Sequence, residues 1–300
     1  MSNEINVVGA DLPYKQPLNL HIHSGDLGDI IYYLPFIKRV GGVLRLVSAF
    51  EGQRVLMTTT RCEFIYPLLR NQHYIDAIDH PTLSLPPWYC DDKITRTYTS
   101  LEVREYIISC HRSKKENNLL TAAFVINGLT IPDVNEPWLT PVPISPRPLI
   151  EGPYVVMARS GRYHSLDFPW HEIFDLMPRI VFVGTGEEFY DFSQDIISKH
   201  ANGNKIFHYD TANAVLLEHL LVHAKAVFCN QSLPYAICEG HKLKNVCLEV
   251  APNPIDYHVI FKRPGMFHHT NPAETIQWAR DMVLPLTRPY HACSFETDFN

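Results

Sequence analysis

Several signatures of specialised protein classes are missing from this sequence. The seven cysteines are an odd number, and no Cys-x-x-Cys pair occurs, which excludes a zinc knuckle and favours reduced thiols. No run approaches the ~18 apolar residues that a membrane-spanning helix needs. The N-terminus lacks the basic segment followed by an apolar segment that marks a secretory signal. We therefore expect a soluble protein of the cytoplasm without a transmembrane segment.

The sequence also has no excess of positive charge. Its net charge is −6 and its pI is about 6.2, which does not indicate a nucleic-acid or anionic-membrane partner. The sixteen histidines include no His-Glu-x-x-His or similar spacing, so we expect them to be structural or surface residues and predict no metal site. Hydrophobic residues make up 46% of the chain, which is enough for a sizeable core.

What is present is an alternation of strand and helix patterns in two stretches. The first contains a buried strand at 18–23, a helix at Ile30–Val40, strands in "GGVLRLVSAF" and "YIDAID", a short element in "RVLMTTT" and helical spacing over 101–126. Seven prolines follow between Ile131 and Pro153, a density that excludes a regular helix or a central strand. The alternation restarts at "YVVMARS" and ends in the helical pattern "PAETIQWARDMVLPL".

This pattern predicts an α/β protein with two Rossmann-like domains around a proline-rich hinge. We place the N-terminal domain at 1–135, the linker at 136–153, the C-terminal domain at 154–272 and a helix with a tail at 273–300. Two such domains can face each other across a cleft, where ligands bind at the carboxyl ends of the strands. The turns after the strands are therefore the places to look for chemistry.

The first such turn is "SGDLGDII", from Ser24 to Ile31. Gly25 and Gly28 allow the backbone to approach a ligand, and either Asp26 or Asp29 can serve as a helix N-cap. The spacing of the glycines differs from Gly-x-Gly-x-x-Gly, which disfavours a dinucleotide site. An aspartate is a poor neighbour for phosphate but suits the removal of a proton from a hydroxyl group.

Two turns of the second half carry residues that suit a nucleotide. Arg159, Ser160 and Arg162 follow a strand in "ARSGRYHS", and the two guanidinium groups match a diphosphate, although a solvated loop explains them as well. Gly184 and Thr185 lie in "VFVGTGEEF", which is half of a glycine-rich loop and suits packing on a base or ribose.

The third turn of the second half is "NQSLP", where a strand hands over to a helix. The backbone amides around Asn230, Gln231, Ser232 and Leu233 can bind an anion at the start of that helix. Glu239 lies further along the same helix, as either a surface acid or an acceptor for ribose hydroxyls. These residues complete the candidate substrate-binding set.

Three stretches resemble the GT-B glycosyltransferases, and within them the ADP-heptose lipopolysaccharide heptosyltransferase family, known as glycosyltransferase family 9. The stretch "GDIIYYLP" is similar to that family's Gly-Asp turn and following helix, and "PLLRNQHYIDAIDH" to its helix, turn and strand. The stretch "LLEHLLVHAKAVFCNQSLPYAICEGHKLKNVCLEV" is similar to its last nucleotide-binding βα unit. Together they span most of residues 18–250.

The resemblance implies a two-domain fold with a C-terminal helix that can pack back on the N-terminal domain. It implies inverting, metal-independent transfer of a sugar from a nucleoside diphosphate sugar, without a cofactor. The family's general base falls on Asp29, whereas Asp26 has no acidic counterpart and remains a cap or a helper.

The same resemblance places the phosphate contacts on Arg159, Arg162 and the residues from Asn230 to Leu233. Arginines replace the family's lysine, Asn230 its aspartate, Ser232 its glycine and Tyr235 its histidine. Because of these departures, the sequence does not identify heptose as the sugar.

The sequence leaves three questions open. The acceptor is a saccharide, a lipid-linked saccharide, a hydroxylated nucleobase in DNA or a protein. The chain is an active transferase, a non-catalytic nucleotide-sugar-binding module, or an epimerase or hydrolase of nucleotide sugars. A nicotinamide oxidoreductase is disfavoured because the glycine fingerprint is missing. The oligomeric state stays undetermined.

Overall fold

The structure is a computed structural model, and it describes residues 18–52, 55–80, 93–112, 118–143, 149–199, 206–251 and 263–283. The chain divides into two compact units, Met1–Lys115 with Leu119–Ile131 and Glu116–Asn118 with Pro132–Asn300. Each unit is built on a parallel sheet of its own, which confirms the predicted α/β class. Nowhere in the described ranges does a helix have both the length and the apolar character needed to span a membrane.

The first unit has a parallel sheet with the strand order β3-β2-β1-β4. Its described elements are β1 (Leu18–His23), α1 (Leu27–Val40), β2 (Val43–Leu46), α2 (Thr59–Arg70), β3 (Ala77–Asp79), β4 (Ile94–Thr99), α3 (Ser100–Arg112) and α4 (Leu119–Ile126). The central helix α1 buries all eight residues from Ile30 to Ile37, including Pro35, which it accommodates without ending. Because α1 is buried along this stretch, the turn that precedes it has a fixed position.

The structure corrects the sequence prediction at three places in this unit. The helical stretch predicted at 101–126 is two helices, α3 and α4, with Asn118 outside both. The segment "RVLMTTT" forms no regular element at 55–58, where Leu56 and Met57 donate backbone hydrogen bonds to Ser48 O, and α2 begins only at Thr59. Strand β4 was not predicted, because of its six residues only Tyr98 is buried. An edge strand of this kind lacks the apolar run that indicates a buried parallel strand.

The order of the strands places a switch point beside β1. The chain runs from β1 to β2 and β3 on one side of the sheet and then returns to add β4 on the other side. At such a reversal the connections leave the sheet in opposite directions, and a crevice opens at the carboxyl ends of the strands. The turn after β1 and the start of α3 both border this crevice.

The second unit has a six-stranded parallel sheet with the order β10-β9-β8-β5-β6-β7. Its described elements are β5 (Val155–Ala158), α5 (Trp170–Leu176), β6 (Ile180–Val183), α6 (Gly186–Asp195), β7 (Ile206–Tyr209), α7 (Ala214–His223), β8 (Ala226–Asn230), α8 (Leu233–His241), β9 (Val246–Glu249), β10 (Met266–His268) and α9 (Pro272–Val283). Strands β5, β6, β8 and β9 are buried along their whole length, as expected when helices cover both faces. Its switch point lies between β5 and β8.

The linker and the C-terminal helix both pack within the second unit. Trp138 and Leu139, from the predicted linker, are buried and donate backbone hydrogen bonds to Gly240 O in α8. Trp278 and Ala279 of α9 pack into the core around Phe228 and next to α5. Helix α9 thus packs on its own sheet and on α5. The packing of a C-terminal helix on the N-terminal domain, which the resemblance implied, stays a prediction. The tail beyond 283 lies outside the described residues, and the limits at 135 and 153 stay predictions.

Candidate functional site

The turn after β1 separates the two candidate acids. Asp26 has the extended backbone of an N-cap residue but no side-chain cap bond, and its Oδ1 lies 3.2 Å from Arg61 Nη1. Asp29 lies within the first turn of α1, where its Oδ2 is 3.9 Å from Nη2 of Arg104 on α3. The two acids therefore face different cations, and only Asp29 faces the switch point beside β1.

Asp29 lines a pocket that lies entirely within the first unit. The pocket is small, with a cavity volume of about 20 Å³, and is partly open to solvent. It is lined by His23, Gly25, Asp29, Tyr33, Ser100, Val103, Arg104 and Leu119. Its wall is tied together where β1 meets α3, because the Ser24 backbone N–H donates to Ser100 Oγ at 3.2 Å. We call this the β1 pocket. It contains an acid, a cation and an imidazole within one small space.

The imidazole of the β1 pocket is held neutral. His23 is 2% exposed, and burial together with the nearby charge of Arg104 lowers its pKa to about 3. The Tyr33 hydroxyl has a raised pKa, chiefly because of burial, and its ring meets His23 edge-on with centroids 5.5 Å apart. At neutral pH the charges of the pocket are therefore those of Asp29 and Arg104.

Gly25, in the first turn, is needed for packing inside the protein. A Cβ added to Gly25 would lie 2.5 Å from His23 Cε1 and 3.2 Å from both His23 Nδ1 and Asp29 Cβ. Gly28 is the second residue of α1 and is half-buried. Any larger residue at position 25 would therefore clash with the His23 ring. The role of Gly25 as a point of close approach for a substrate stays a prediction, and so does that of Gly28.

In the second unit, the arginines of the "ARSGRYHS" turn have different surroundings. Arg159 is largely buried, with Nη1 3.1 Å from Asp195 Oδ2 and Nε 3.5 Å from Glu249 Oε2. Arg162 is exposed, and its guanidinium lies over the ring of Tyr163 with 5.1 Å from Cζ to the centroid. Two acids balance the charge of Arg159, whereas the guanidinium of Arg162 reaches solvent. Arg162 is therefore the better placed of the two for an external anion.

The Asn230 side chain holds this turn in place through hydrogen bonds to Ser160 and Arg162. Its Oδ1 accepts from the backbone N–H and the hydroxyl of Ser160 at 3.1 and 3.2 Å, and its Nδ2 donates to Ser160 O at 3.0 Å and to Arg162 O at 2.5 Å. The Asn230 side chain is fully buried. Directly after Arg162, Tyr163 has a φ of +62°. This backbone conformation is unfavourable for a bulky residue and persists only where the surrounding structure holds it. The amide therefore shapes the turn across the switch point between β5 and β8.

Glu249, at the end of β9, is a buried acid that the sequence analysis did not single out. It accepts from the Ser165 backbone N–H at 2.8 Å and from Trp170 Nε1 at 3.2 Å, in addition to its ion pair with Arg159. Burial raises the pKa of Glu249 to about 7, although the charge of Arg159 acts in the opposite direction. Its position at the end of a predicted strand could have identified Glu249 as a candidate site residue from the sequence.

The remaining predicted residues lie at helix ends. Gly184 has a φ of +155°, and the Thr185 hydroxyl accepts from Glu188 N in a capping box that begins α6. Gln231 is buried, and Ser232 is at the N-cap position of α8 without a side-chain cap bond, its hydroxyl instead donating to Asn230 O at 3.2 Å. Leu233 is the first residue of α8.

Glu239 is buried within α8, and both of its carboxylate oxygens are engaged. Oε2 lies 2.9 Å from Arg263 Nε, and Oε1 is paired with Lys242. The alternative that Glu239 is a surface acid is wrong, because its side chain is buried and paired with two cations. Its predicted ribose contact stays a prediction.

The sequence analysis missed Ser100, Arg104 and Tyr33 of the β1 pocket and treated His23 as structural. Arg104 lies one turn into a helix that was predicted, but its relation to Asp29 depends on β4, which was not. The described ranges contain no group of three or more His, Cys, Asp or Glu side chains close enough to hold a metal ion. The described cysteines are buried and form no disulfide bond with one another; they are Cys62, Cys110, Cys229, Cys238 and Cys247.

Sequence comparison finds no matching family model and no matching curated protein. Solved structures do match. Escherichia coli heptosyltransferase WaaC with ADP-2-deoxy-2-fluoro heptose has a TM-score of 0.55 at 8% identity, over 90% of this chain and 100% of that chain. A Veillonella parvula glycosyl transferase of family 9 has a TM-score of 0.54 at 9% identity, over 91% and 99%.

A third structure, the iron-containing heptosyltransferase TibC in complex with ADP-D-beta-D-heptose, has a TM-score of 0.49 at 13% identity, over 85% of this chain and 64% of that chain. The chain thus spans less than two thirds of the length of TibC. At these identities the two structures with the higher scores show a shared fold. The fold of this chain is therefore that of heptosyltransferases and family 9 glycosyltransferases, as the sequence resemblance implied.

Proposed function

We propose that this protein is a glycosyltransferase that moves a sugar from a nucleoside diphosphate sugar to an acceptor hydroxyl, with inversion and without a metal ion. Support comes from the fold shared with WaaC, whose solved structure contains an ADP-sugar analogue. The observation that carries the proposal is the position of Asp29, which lines the β1 pocket at the switch point of its sheet beside Arg104 and His23. Ligands in α/β sheets bind at that kind of position.

In this proposal Asp29 acts as the general base. The acceptor oxygen forms a bond to the anomeric carbon while the bond from that carbon to the diphosphate oxygen breaks. The electron pair leaves with the nucleoside diphosphate, and the acceptor proton goes to the Asp29 carboxylate. A carboxylate in a positioned pocket can supply roughly 10²–10⁴ of rate in such a step. Arg104, 3.9 Å away, orients the carboxylate.

The donor diphosphate is proposed to bind the second unit. Arg162 is exposed within the turn that Asn230 holds. Helix α8 begins at Leu233 without a side-chain cap. The amides of that helix start and the guanidinium can stabilise the charge that develops on the leaving group. Arg159 shapes the turn through Glu249 and Asp195 instead of offering an unbalanced charge. Ser160, Gln231 and the Gly184-Thr185 turn complete the proposed donor site.

The experiment is an assay for release of nucleoside diphosphate from a panel of nucleotide sugars, with and without saccharide, lipid-linked saccharide and hydroxymethylated DNA acceptors. The proposal expects release that depends on an acceptor. Release without any acceptor favours a hydrolase, and conversion of the donor sugar without release favours an epimerase. The panel also identifies the base, the sugar and the acceptor. A cytoplasmic location is also part of the proposal, and its support is that the five described cysteines form no disulfide bond with one another.

A second candidate is a nucleotide-sugar-binding module without catalysis. The observation that favours it is the neutralisation of Arg159 by two acids and the use of Asn230 as a clamp in the second unit. Binding of a nucleotide sugar without turnover under any acceptor condition would support this candidate over the transferase.

A further inference from the structure

Arg159 contacts two acids that differ in their access to solvent. It follows β5 directly, at the switch point of the second unit's sheet. Its side chain is 15% exposed, whereas that of Glu249 is 0% exposed and that of Asp195 is 50% exposed. The guanidinium therefore has one counter-charge inside the protein, facing Nε, and one at the surface, facing Nη1.

The buried acid is fixed, and the surface acid is exchangeable. Glu249 also accepts hydrogen bonds from a backbone N–H and an indole N–H, and separating a buried acid from its cation is costly. Asp195 has a second partner, because its Oδ1 lies 3.2 Å from Lys199 Nζ. Exposed ion pairs contribute little to stability. Asp195 can therefore leave Arg159 at low cost and remain paired with Lys199.

The place that Asp195 takes on the guanidinium suits a phosphate oxygen equally well. Arg159 Nη1 lies 3.1 Å from Asp195 Oδ2, while the buried Nε makes no hydrogen bond among the described residues. A guanidinium presents five N–H donors in a planar fork that matches carboxylates and phosphates alike. The carboxylate of Asp195 thus stands where an external anion would be held.

The charges around Arg159 make this occupancy a competition. Together the two acids outweigh the single positive charge of Arg159, so an anion that approaches meets no net attraction from this group. Once the Asp195 carboxylate moves away from Nη1, the guanidinium can bind that anion directly. Removing the charge of Asp195 should therefore strengthen anion binding, whereas removing a residue that only holds the fold together should not.

We propose that Asp195 is an internal competitor of the donor diphosphate: its carboxylate occupies Arg159 in the free protein and gives way when a phosphate oxygen binds there. This inference rests on the proposed function, because it assigns Arg159 to the diphosphate in addition to Arg162. Asp195 then sets the affinity for the donor without touching the reacting atoms.

The test is a calorimetric titration of the full chain with inorganic pyrophosphate. Asp195→Asn keeps the size of the side chain and removes its charge, and we expect it to bind pyrophosphate roughly five-fold more tightly than the native chain does. Asp191→Asn is the matched control. Asp191 is an exposed acid one turn earlier on α6, and no contact with Arg159 is described for it. This control should bind within about two-fold of the native chain, because it loses the same charge away from Arg159.

NMR of the arginine side chains locates the gain. The Nε–H signal of Arg159 is assigned by its loss in Arg159→Lys, which keeps the positive charge beside Glu249. We expect pyrophosphate to shift this signal in the native chain, and to do so at lower concentration in Asp195→Asn. In a transfer assay, Asp195→Asn should lower the KM for the donor and leave kcat within a few-fold of the native value.

The inference is overturned if pyrophosphate binds neither chain, if Asp195→Asn binds it no more tightly than the native chain, if Asp191→Asn gains as much, or if the Arg159 signal does not shift. Failure of the proposed function is a separate result. It appears as absence of nucleoside diphosphate release under all acceptor conditions while Asp195→Asn still binds pyrophosphate more tightly.

Discussion

The turn after β5 and the β1 pocket differ in how their polar groups are held. In the second unit, Asn230 and Glu249 have hydrogen-bond partners that fix the turn from Arg159 to Ser165. In the β1 pocket, Asp29 and Arg104 form a long ion pair at 3.9 Å in which both side chains are partly exposed. A network of satisfied hydrogen bonds makes a rigid scaffold, whereas a partly exposed ion pair holds its carboxylate only weakly. The comparison assigns preorganisation to the second unit's turn and leaves the Asp29 carboxylate accessible to a substrate.

The largest effect should come from Asp29→Asn. The amide keeps the shape of the side chain but cannot accept the acceptor proton, so we expect transfer to fall by roughly 10²–10⁴-fold. The ion pair with Arg104 is partly exposed, and its loss should change the free energy of unfolding by less than about 1 kcal/mol. Rate assays and thermal unfolding measure the two effects. Full transfer activity in the variant would show that Asp29 is not the base.

Loss of the clamp in the second unit should act on stability. Asn230→Ala leaves the groups that it bonded in Ser160 and Arg162 without a partner, and we expect it to reduce the free energy of unfolding by about 2–4 kcal/mol. Denaturant unfolding measures it. Asn230→Asp should also destabilise the fold. Its carboxylate can still accept from the Ser160 N–H and hydroxyl, but its second oxygen would face the carbonyl oxygens of Ser160 and Arg162. An Asn230→Asp variant that is as stable as the native chain would contradict the clamp.

How far these groups could be predicted from sequence differs between the units. The central strands of both units, most of the helices and the position of Asp29 followed from apolar runs, glycine turns and the family resemblance. Arg104 did not, since it depends on β4, an exposed edge strand whose Thr-rich pattern does not indicate burial. Likewise, the position of Asn230 at a strand end before a helix predicted a phosphate contact. Its hydrogen bonds to a turn seventy residues away are visible only in the three-dimensional structure.

The buried acid of the second unit should give the stability a pH dependence. Glu249 has a pKa of about 7 in the fold against its ordinary value of 4.5, so the folded state holds its proton more tightly than the unfolded state does. Its contribution is therefore fully present below about pH 4.5 and is lost as the pH rises through about 7, by up to about 3 kcal/mol.

Glu249→Gln removes this titration. Free energies of unfolding of the native chain and the variant, measured from acid to neutral pH, should differ by an amount that changes across that window. A difference that stays constant would show that folding leaves the pKa of Glu249 unchanged. Asp195→Asn is the matched control, because Asp195 contacts the same Arg159 from an exposed position.

The smallest effect should come from the other acid of the first turn. Asp26 makes an exposed ion pair with Arg61 and no cap bond, so Asp26→Asn should change the free energy of unfolding by less than about 1 kcal/mol. Transfer activity should stay within a few-fold of the native value. A loss of activity comparable to that of Asp29→Asn would erase the distinction between the two acids.

The central claim is that this fold binds a nucleoside diphosphate. The most direct measurement is the thermal unfolding of the full chain with ADP, UDP, GDP and CDP and their sugars, because a ligand that binds only the folded state raises its Tm. The account predicts that at least one of them raises the Tm in proportion to the logarithm of its concentration, and that Arg162→Ala weakens this shift. No shift with any nucleoside diphosphate or nucleotide sugar would contradict the account.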